Sequence, residues 1–292
     1  MKKARIPIFP LKSLCMCPRI TSDNHEPRTT NHGFFTMSLL VVENLSKSFG
    51  GVQAVGGISF VLAAGELLAL IGPNGAGKST CFNLLNGQLR PDAGSVLLGG
   101  RDVTGRAPRD IWRLGVGRTF QVTETYGSMT VEENVQLVLL SRARRLHRMR
   151  QPVAAQFRSE ALALLERVGM ADQTQRTCSL LAYGDLKRVE LAMALASEPQ
   201  LLLMDEPTAG MGPKERDELM ALTAALTRER GLGVLFTEHS MDVVFAYAHR
   251  ILVMARGHII AQGTPAQVRD DPQVQEVYLG TGRTFSTPAA LV

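Results

Sequence analysis

The sequence predicts an α/β protein with a mostly parallel sheet and an inserted helical block. Three observations carry this. Short apolar runs at 67–71, 201–204, 233–236 and 251–254 recur between stretches with helical spacing, and such alternation implies a parallel sheet with helices on both faces. A glycine-rich segment at 72–80 joins the first run to a helical stretch reaching 89. From about 122 to 195 the pattern is mostly helical, so this block reads as an insertion into the sheet domain.

The remaining elements follow in order. Residues 39–42 and 58–62 read as strands, with a glycine turn at Gly50-Gly51 between them. Gly65-Glu66 turns the chain into the 67–71 strand. Within the block, Leu162, Leu165 and Val168 mark an apolar face at helical spacing. Helices are expected near 213–230 and 240–249. No internal repeat or low-complexity tract interrupts this order.

The first 36 residues differ from the rest. They are rich in Pro, Thr, Asn and basic groups and lack sustained periodicity. Pro7, Pro10 and Lys12 break any apolar core that a signal peptide would need. The segment reads as a disordered extension or as residues upstream of a true start at Met37, and the second reading is preferred because the regular pattern begins directly after Met37. Residues 37–292 form the expected folded domain.

Composition narrows the class further. The chain is 45% hydrophobic and 20% charged, which suits a folded protein. No apolar run approaches the roughly 18 residues of a membrane span. Cys15, Cys17, Cys81 and Cys178 have no metal-ligand spacing, so a reduced, cytosolic chain is expected. The net charge of +5 is concentrated in residues 1–36, which hold six basic and two acidic groups. The domain itself is nearly neutral, so the charge gives no argument for nucleic-acid binding. Arg142, Arg144, Arg145, Arg148 and Arg150 form a basic run after the apolar segment 135–140. A solvated loop is the preferred reading, with anionic lipid head groups as the other.

Gly72, Pro73, Asn74, Gly75, Ala76, Gly77, Lys78, Ser79 and Thr80 fit the pattern G-x-x-x-x-G-K-[ST] without a mismatch. Glycines let backbone N–H groups curl around β- and γ-phosphates without a Cβ clash. The following helix adds the positive end of its dipole. Lys78 supplies an ammonium to those phosphates, and the Ser79 hydroxyl can ligate Mg²⁺. Downstream, the apolar run at 201–204 ends in Asp205 and Glu206. Asp205 suits Mg²⁺, and Glu206 can polarise an attacking water as general base.

The segment Leu181, Ala182, Tyr183, Gly184 and Asp185, ahead of a helix running to about Ala196, resembles the signature motif of ABC-transporter ATPases, commonly Leu-Ser-Gly-Gly-Gln. The resemblance covers nearly all of residues 37–292. Gln121, in Arg118-Thr119-Phe120-Gln121, matches the Q-loop glutamine, and the segment from Thr208 to Met211 matches the D-loop. His239 matches the switch histidine, and Phe49 lies where the family stacks an aromatic on adenine. The spacings agree: 43 residues from Lys78 to Gln121, 60 from Gln121 to Leu181, and 33 from Glu206 to His239.

The resemblance implies a P-loop NTPase fold, with a RecA-like sheet, an antiparallel β part and a helical subdomain. It implies ATP and Mg²⁺ as cofactors, with Ser79, Gln121 and Asp205 around the metal. Glu206, His239 and Gln121 would serve hydrolysis. It also implies head-to-tail pairing with a second ATPase subunit, identical or paralogous, whose phosphate loop would hold the ATP that this signature touches. Ala182 lacks the serine hydroxyl of the common signature, so one phosphate contact is missing. The Ala-Tyr-Gly form is similar to the branch serving high-affinity branched-chain amino-acid importers, as are Phe120-Gln121 and the tail Val277-Tyr278-Leu279-Gly280. Met211 and Ser240 depart from that branch, which more often has Leu and Asp there.

The expected function is therefore an ATP-hydrolysing importer subunit acting on a separate membrane permease, at the cytoplasmic face of the inner membrane. A periplasmic or extracellular binding protein would be an indirect partner. A lipopolysaccharide-export ATPase is the alternative within the family. A non-transport ABC ATPase of translation or DNA maintenance is the alternative outside transport, though such proteins usually carry two cassettes or a long coiled coil.

Overall fold

A computed structural model describes residues 38–119, 125–143 and 157–279. Its strands are β1 (Ser38–Phe49), β2 (Val52–Ala63), β3 (Leu67–Ile71), β4 (Ala93–Leu98), β5 (Arg101–Asp102), β6 (Val116–Thr119), β7 (Leu201–Asp205), β8 (Gly233–Thr237), β9 (Arg250–Ala255) and β10 (His258–Gly263). They form two sheets. An antiparallel sheet runs β2-β1-β4-β5, and a second sheet runs β10-β9-β3-β8-β7-β6. The second sheet is parallel except for β10, which pairs antiparallel with β9.

Local sequence explains the pairing. Gly50 and Gly51 have φ of +52° and +86° between β1 and β2, and two positive φ values suit a tight hairpin turn. All residues of β3 and β8 are buried, as expected of strands covered on both faces. Alternation then sorts their side chains. Ala69, Met204, Phe236 and Val253 join one core with the helical layer. Leu70, Leu203, Leu235 and Leu252 join another with Leu40, Phe60 and Phe82.

The helices are α1 (Lys78–Leu85), α2 (Pro108–Arg113), α3 (Val131–Arg142), α4 (Arg158–Arg167), α5 (Tyr183–Ala196), α6 (Pro213–Arg230), α7 (Met241–Tyr247), α8 (Pro265–Arg269) and α9 (Pro272–Leu279). Helices α3, α4 and α5 follow one another between β6 and β7 and pack together. The start of α3 is set by a capping box, in which Thr130 Oγ1 accepts from the Glu133 N–H and Glu133 accepts from the Thr130 N–H.

Helices cover both faces of the main sheet, as expected: one face carries α3 to α7, and the other carries α1 and α2 with the antiparallel sheet. Three expectations are corrected. The helix after the glycine loop spans Lys78–Leu85 rather than 80–89, because Gly87, at φ +77°, turns the chain where any Cβ would lie 2.2 Å from the Arg106 carbonyl oxygen. The signature does not precede its helix; Tyr183, Gly184 and Asp185 form the first turn of α5, with Ala182 as its N-cap. On α4 the inward face is Ala161, Leu164, Leu165 and Val168, and Leu162 is only half-buried. Strands β4, β5, β6 and β10 had no sequence expectation.

Phe236 is fully buried on β8, between β3 and β7. Phe236→Ala is expected to lower stability by about 3–5 kcal/mol through the cavity it leaves. Denaturant midpoints check this, and a loss below about 1 kcal/mol would contradict the central position given to this ring.

Candidate functional site

The glycine loop leaves β3 at Ile71 and enters α1 at Lys78. Two of its glycines are required by close backbone approach. Gly72 has φ +156°, and a Cβ there would sit 2.2 Å from the Met254 carbonyl oxygen. Gly77 has φ +106°, and a Cβ there would sit 2.2 Å from the Ala54 carbonyl oxygen. The loop is tied down where the Gly257 N–H donates to the Ala76 carbonyl at 3.0 Å.

Lys78 folds back into this loop. Its Nζ donates to the Gly72 carbonyl at 2.7 Å and to the Pro73 carbonyl at 3.1 Å. The ammonium is thus held inside the curl of backbone. Asn74, Gly75 and Ser79 are exposed, and Thr80 is half-buried. Burial pushes the neighbouring Cys81 thiol up to about 12, so that side chain is a packing group. A tightly curled loop that admits no Cβ at Gly72 or Gly77 and holds one ammonium suits a polyphosphate.

The carboxylates stand at the ends of the neighbouring strands. Parallel register sets Asp205 beside Thr237, whose hydroxyl donates to Asp205 Oδ1 at 2.8 Å. The Glu206 N–H donates to the Thr237 carbonyl at 3.2 Å and hydroxyl at 3.0 Å. Glu206 has φ +50°, an uncommon backbone state for a side-chain-bearing residue. Its Oε1 lies 2.7 Å from His239 Nε2. Glu206 and His239 therefore come together across 33 residues of sequence, with side chains 18% and 34% exposed.

Three residues here carry no motif of their own. Thr237 contacts both carboxylate residues. Glu238 is buried, accepts from the Thr208 N–H at 2.8 Å and hydroxyl at 2.7 Å, and accepts from the His239 N–H at 3.2 Å. It thereby joins the D-loop segment to the histidine. Arg118 on β6 places Nη2 3.4 Å from Asp205 Oδ2. Their only sequence signal was adjacency to motif residues.

The signature lies at the start of α5. Gly184 is buried, and a Cβ there would come within 3.2 Å of the Glu215 carboxylate. Glu215 also accepts from the Gly212 N–H at 3.1 Å, so an acidic group stands beside the signature glycine. Tyr183 is 40% exposed, lies under the Lys187 ammonium at 5.5 Å, and borders Gly210. Leu181 and Asp185 are half-buried and Ala182 is exposed. Phe49 is 45% exposed at the end of β1, with Lys47 Nζ 5.6 Å from its ring centre. A separate groove of about 450 Å³ lies between α2, β6 and α5, lined by Trp112, Arg118, Val138, Glu190 and Met193 among others. Gln121, Arg144, Arg145, Arg148, Arg150 and Gly280 lie outside the described residues. Arg142, the first of the basic run, is ion-paired with Glu198.

Residues 55–209 match the family described as ABC transporter. The chain belongs to the ABC transporter ATPase family. Residues 258–284 of this ABC ATPase match a second family, described as branched-chain amino acid ATP-binding cassette transporter. It is 39% identical over 252 residues to the high-affinity branched-chain amino acid transport ATP-binding protein LivG of Salmonella typhimurium, covering 83% of this chain and 98% of that one. It is 35% identical over 244 residues to the lipopolysaccharide export system ATP-binding protein LptB of Haemophilus influenzae, covering 84% and 98%. Among solved structures it is similar to the ADP conformation of an ATP-binding cassette of an ABC transporter, with TM-score 0.76, 32% identity, and coverage of 84% and 100%. Members of this ATPase family hydrolyse ATP to power transport.

For this ABC ATPase, Lys78→Ala is expected to weaken ATP binding by roughly 30- to 150-fold, the effect of losing a charge-assisted contact in a partly dehydrated site. A nucleotide titration checks this. Unchanged affinity in a variant with the parental melting temperature would contradict the assignment of the loop.

Proposed function

We propose that this chain is the ATP-hydrolysing subunit of an importer for branched-chain or related amino acids. One observation carries the catalytic part: the 2.7 Å pairing of His239 with Glu206 at the strand ends that follow the phosphate loop. The C-terminal match at 258–284 and the similarity to LivG support the cargo class. They also favour import over the export reading that similarity to LptB raises.

In this reading the loop N–H groups and Lys78 bind the β- and γ-phosphates, and Phe49 stacks on the adenine. Ser79, Asp205 and Gln121 would hold Mg²⁺; the exposed hydroxyl and the fixed carboxylate are donors of the kind that ion takes. Mg²⁺, when bound, offsets the charge that builds on the transferring phosphoryl group. Glu206 accepts the proton of the attacking water, and its bond to His239 fixes the carboxylate for that step. Thr237 and the Glu238–Thr208 contacts hold both residues in place.

Gly184 presents its N–H and helix end to ATP bound by a second ATPase subunit, identical or paralogous. That role requires Glu215 to remain on the Gly212 N–H, away from the incoming phosphate. The chain would work at the cytoplasmic face of the membrane, against separate permease subunits and, through them, a binding protein. No helix among the described residues is long and apolar enough to cross a membrane. Nucleic acid is not among the proposed partners.

The test joins transport to the site. In cells lacking the gene, uptake of labelled leucine is expected to fall, and the parental gene to restore it. Glu206→Gln should not restore it, yet the purified variant should form a persistent ATP-bound dimer. Adding Gly184→Asp should abolish that dimer without changing ATP affinity. Normal leucine uptake in the null strain would overturn the cargo, and uptake restored by Glu206→Gln would overturn the catalytic assignment.

A further inference from the structure

Both oxygens of Asp205 are engaged in this structure, and by unlike groups. Oδ1 accepts from the neutral Thr237 hydroxyl at 2.8 Å. Oδ2 faces the Arg118 guanidinium at 3.4 Å, and the two side chains are only 11% and 13% exposed. Water therefore screens this pair poorly, and each charge is felt strongly by its surroundings.

Arg118 is also anchored away from the carboxylate. Its Nη1 donates to Asn83 Oδ1 at 2.8 Å and to Gln88 Oε1 at 3.0 Å. Asn83 belongs to α1, the helix that begins with Lys78, and Gln88 follows its C-terminal end. One guanidinium thus spans from the phosphate-loop helix to the end of β7, and it lies three residues before Gln121 in sequence. Its rigid fork suits such bridging, which a lysine would do only as a point charge.

We propose that Arg118 is a positioning residue that offsets the charge of Asp205 and so sets how much Mg²⁺ this ATPase needs to bind nucleotide. The inference rests on the proposed reading of Asp205 as a metal-holding carboxylate. A carboxylate that shares its charge with a guanidinium attracts a dication less strongly, and the guanidinium itself repels that dication. Its bonds to Asn83 and Gln88 hold it at 3.4 Å, short of full closure on Asp205, and so limit how far the offset goes. The metal requirement is thereby kept moderate rather than maximal, which favours release of the product complex after hydrolysis.

The experiment is a Mg²⁺ titration of fluorescent ATP-analogue binding to the full chain, read by anisotropy, with a parallel titration in EDTA. Arg118→Gln is expected to lower the half-saturating Mg²⁺ concentration by about tenfold or more, because a unit charge a few ångströms away in poorly screened surroundings outweighs the roughly tenfold effect it would have in bulk water. Affinity in EDTA should not rise, and the parental melting temperature should be kept, which damage to the fold would not leave intact. Arg118→Lys keeps the charge and should stay near the parental requirement. An unchanged or raised Mg²⁺ requirement in Arg118→Gln would overturn the proposal. If Arg118→Gln does not fold, Gln88→Ala at an exposed position decides. Releasing Arg118 toward Asp205 should raise the requirement about twofold, and no change would overturn the proposal. Asp205→Asn separates the two levels of the argument. Full Mg²⁺ dependence in that variant would remove the metal-carboxylate reading itself, whereas its loss beside an unaltered Arg118→Gln would leave that reading standing and reject Arg118 alone.

Discussion

Two backbone contacts that leave no room for a side chain hold this structure together at its working end. Gly77 lies against the Ala54 carbonyl of β2, and Gly72 lies against the Met254 carbonyl of β9. The glycine loop is thereby wedged between the antiparallel sheet and the parallel one. The curl of the loop gives Lys78 its place, because the ammonium is fixed by the Gly72 and Pro73 carbonyls inside it. A Cβ at either glycine would push the loop away from one sheet and remove the shape that Lys78 fills.

The remaining site groups reach this loop through strand register. Parallel pairing of β7 with β8 aligns Asp205 with Thr237, and from there a single hydroxyl contacts both the Asp205 carboxylate and the Glu206 N–H. Residues just beyond those strand ends supply Glu206 and His239. Pairing of β6 with β7 brings Arg118 to the other side of Asp205. Order at the site is therefore a property of the central sheet more than of the loops that follow it. Burial of β3, β7 and β8 on two faces packs that sheet closely from both sides, which fixes the strand ends that carry these hydrogen bonds.

The sequence was most legible where burial is two-sided. The strands at 67–71, 201–204, 233–236 and 251–254 read as apolar runs because both faces are covered. Strand β6, Val-Gly-Arg-Thr, carries one large apolar residue and ends the sheet, so neither run nor alternation marks it. Strand β10 is likewise a half-exposed edge. At the site, residues that carry motif chemistry, such as Lys78, Asp205, Glu206 and His239, stood out by spacing. Arg118 did not, because its partner lies 87 residues away and only register brings them together. Glu215 was missed for a similar reason: its approach to Gly184 depends on how α6 starts beside α5, which no local pattern records. The segment holding Gln121 lies outside the described residues, so its role rests on the motif alone.

The central claim is that Glu206 and His239 act as one unit on the water that attacks ATP. A double-mutant cycle on the hydrolysis rate of the reconstituted transporter tests it most directly, using Glu206→Gln, His239→Ala and the pair together. Groups that work as a unit give strongly non-additive losses, so the double variant should be no slower than Glu206→Gln alone. Independent, multiplying losses would contradict the account and would assign His239 to a step that does not pass through Glu206.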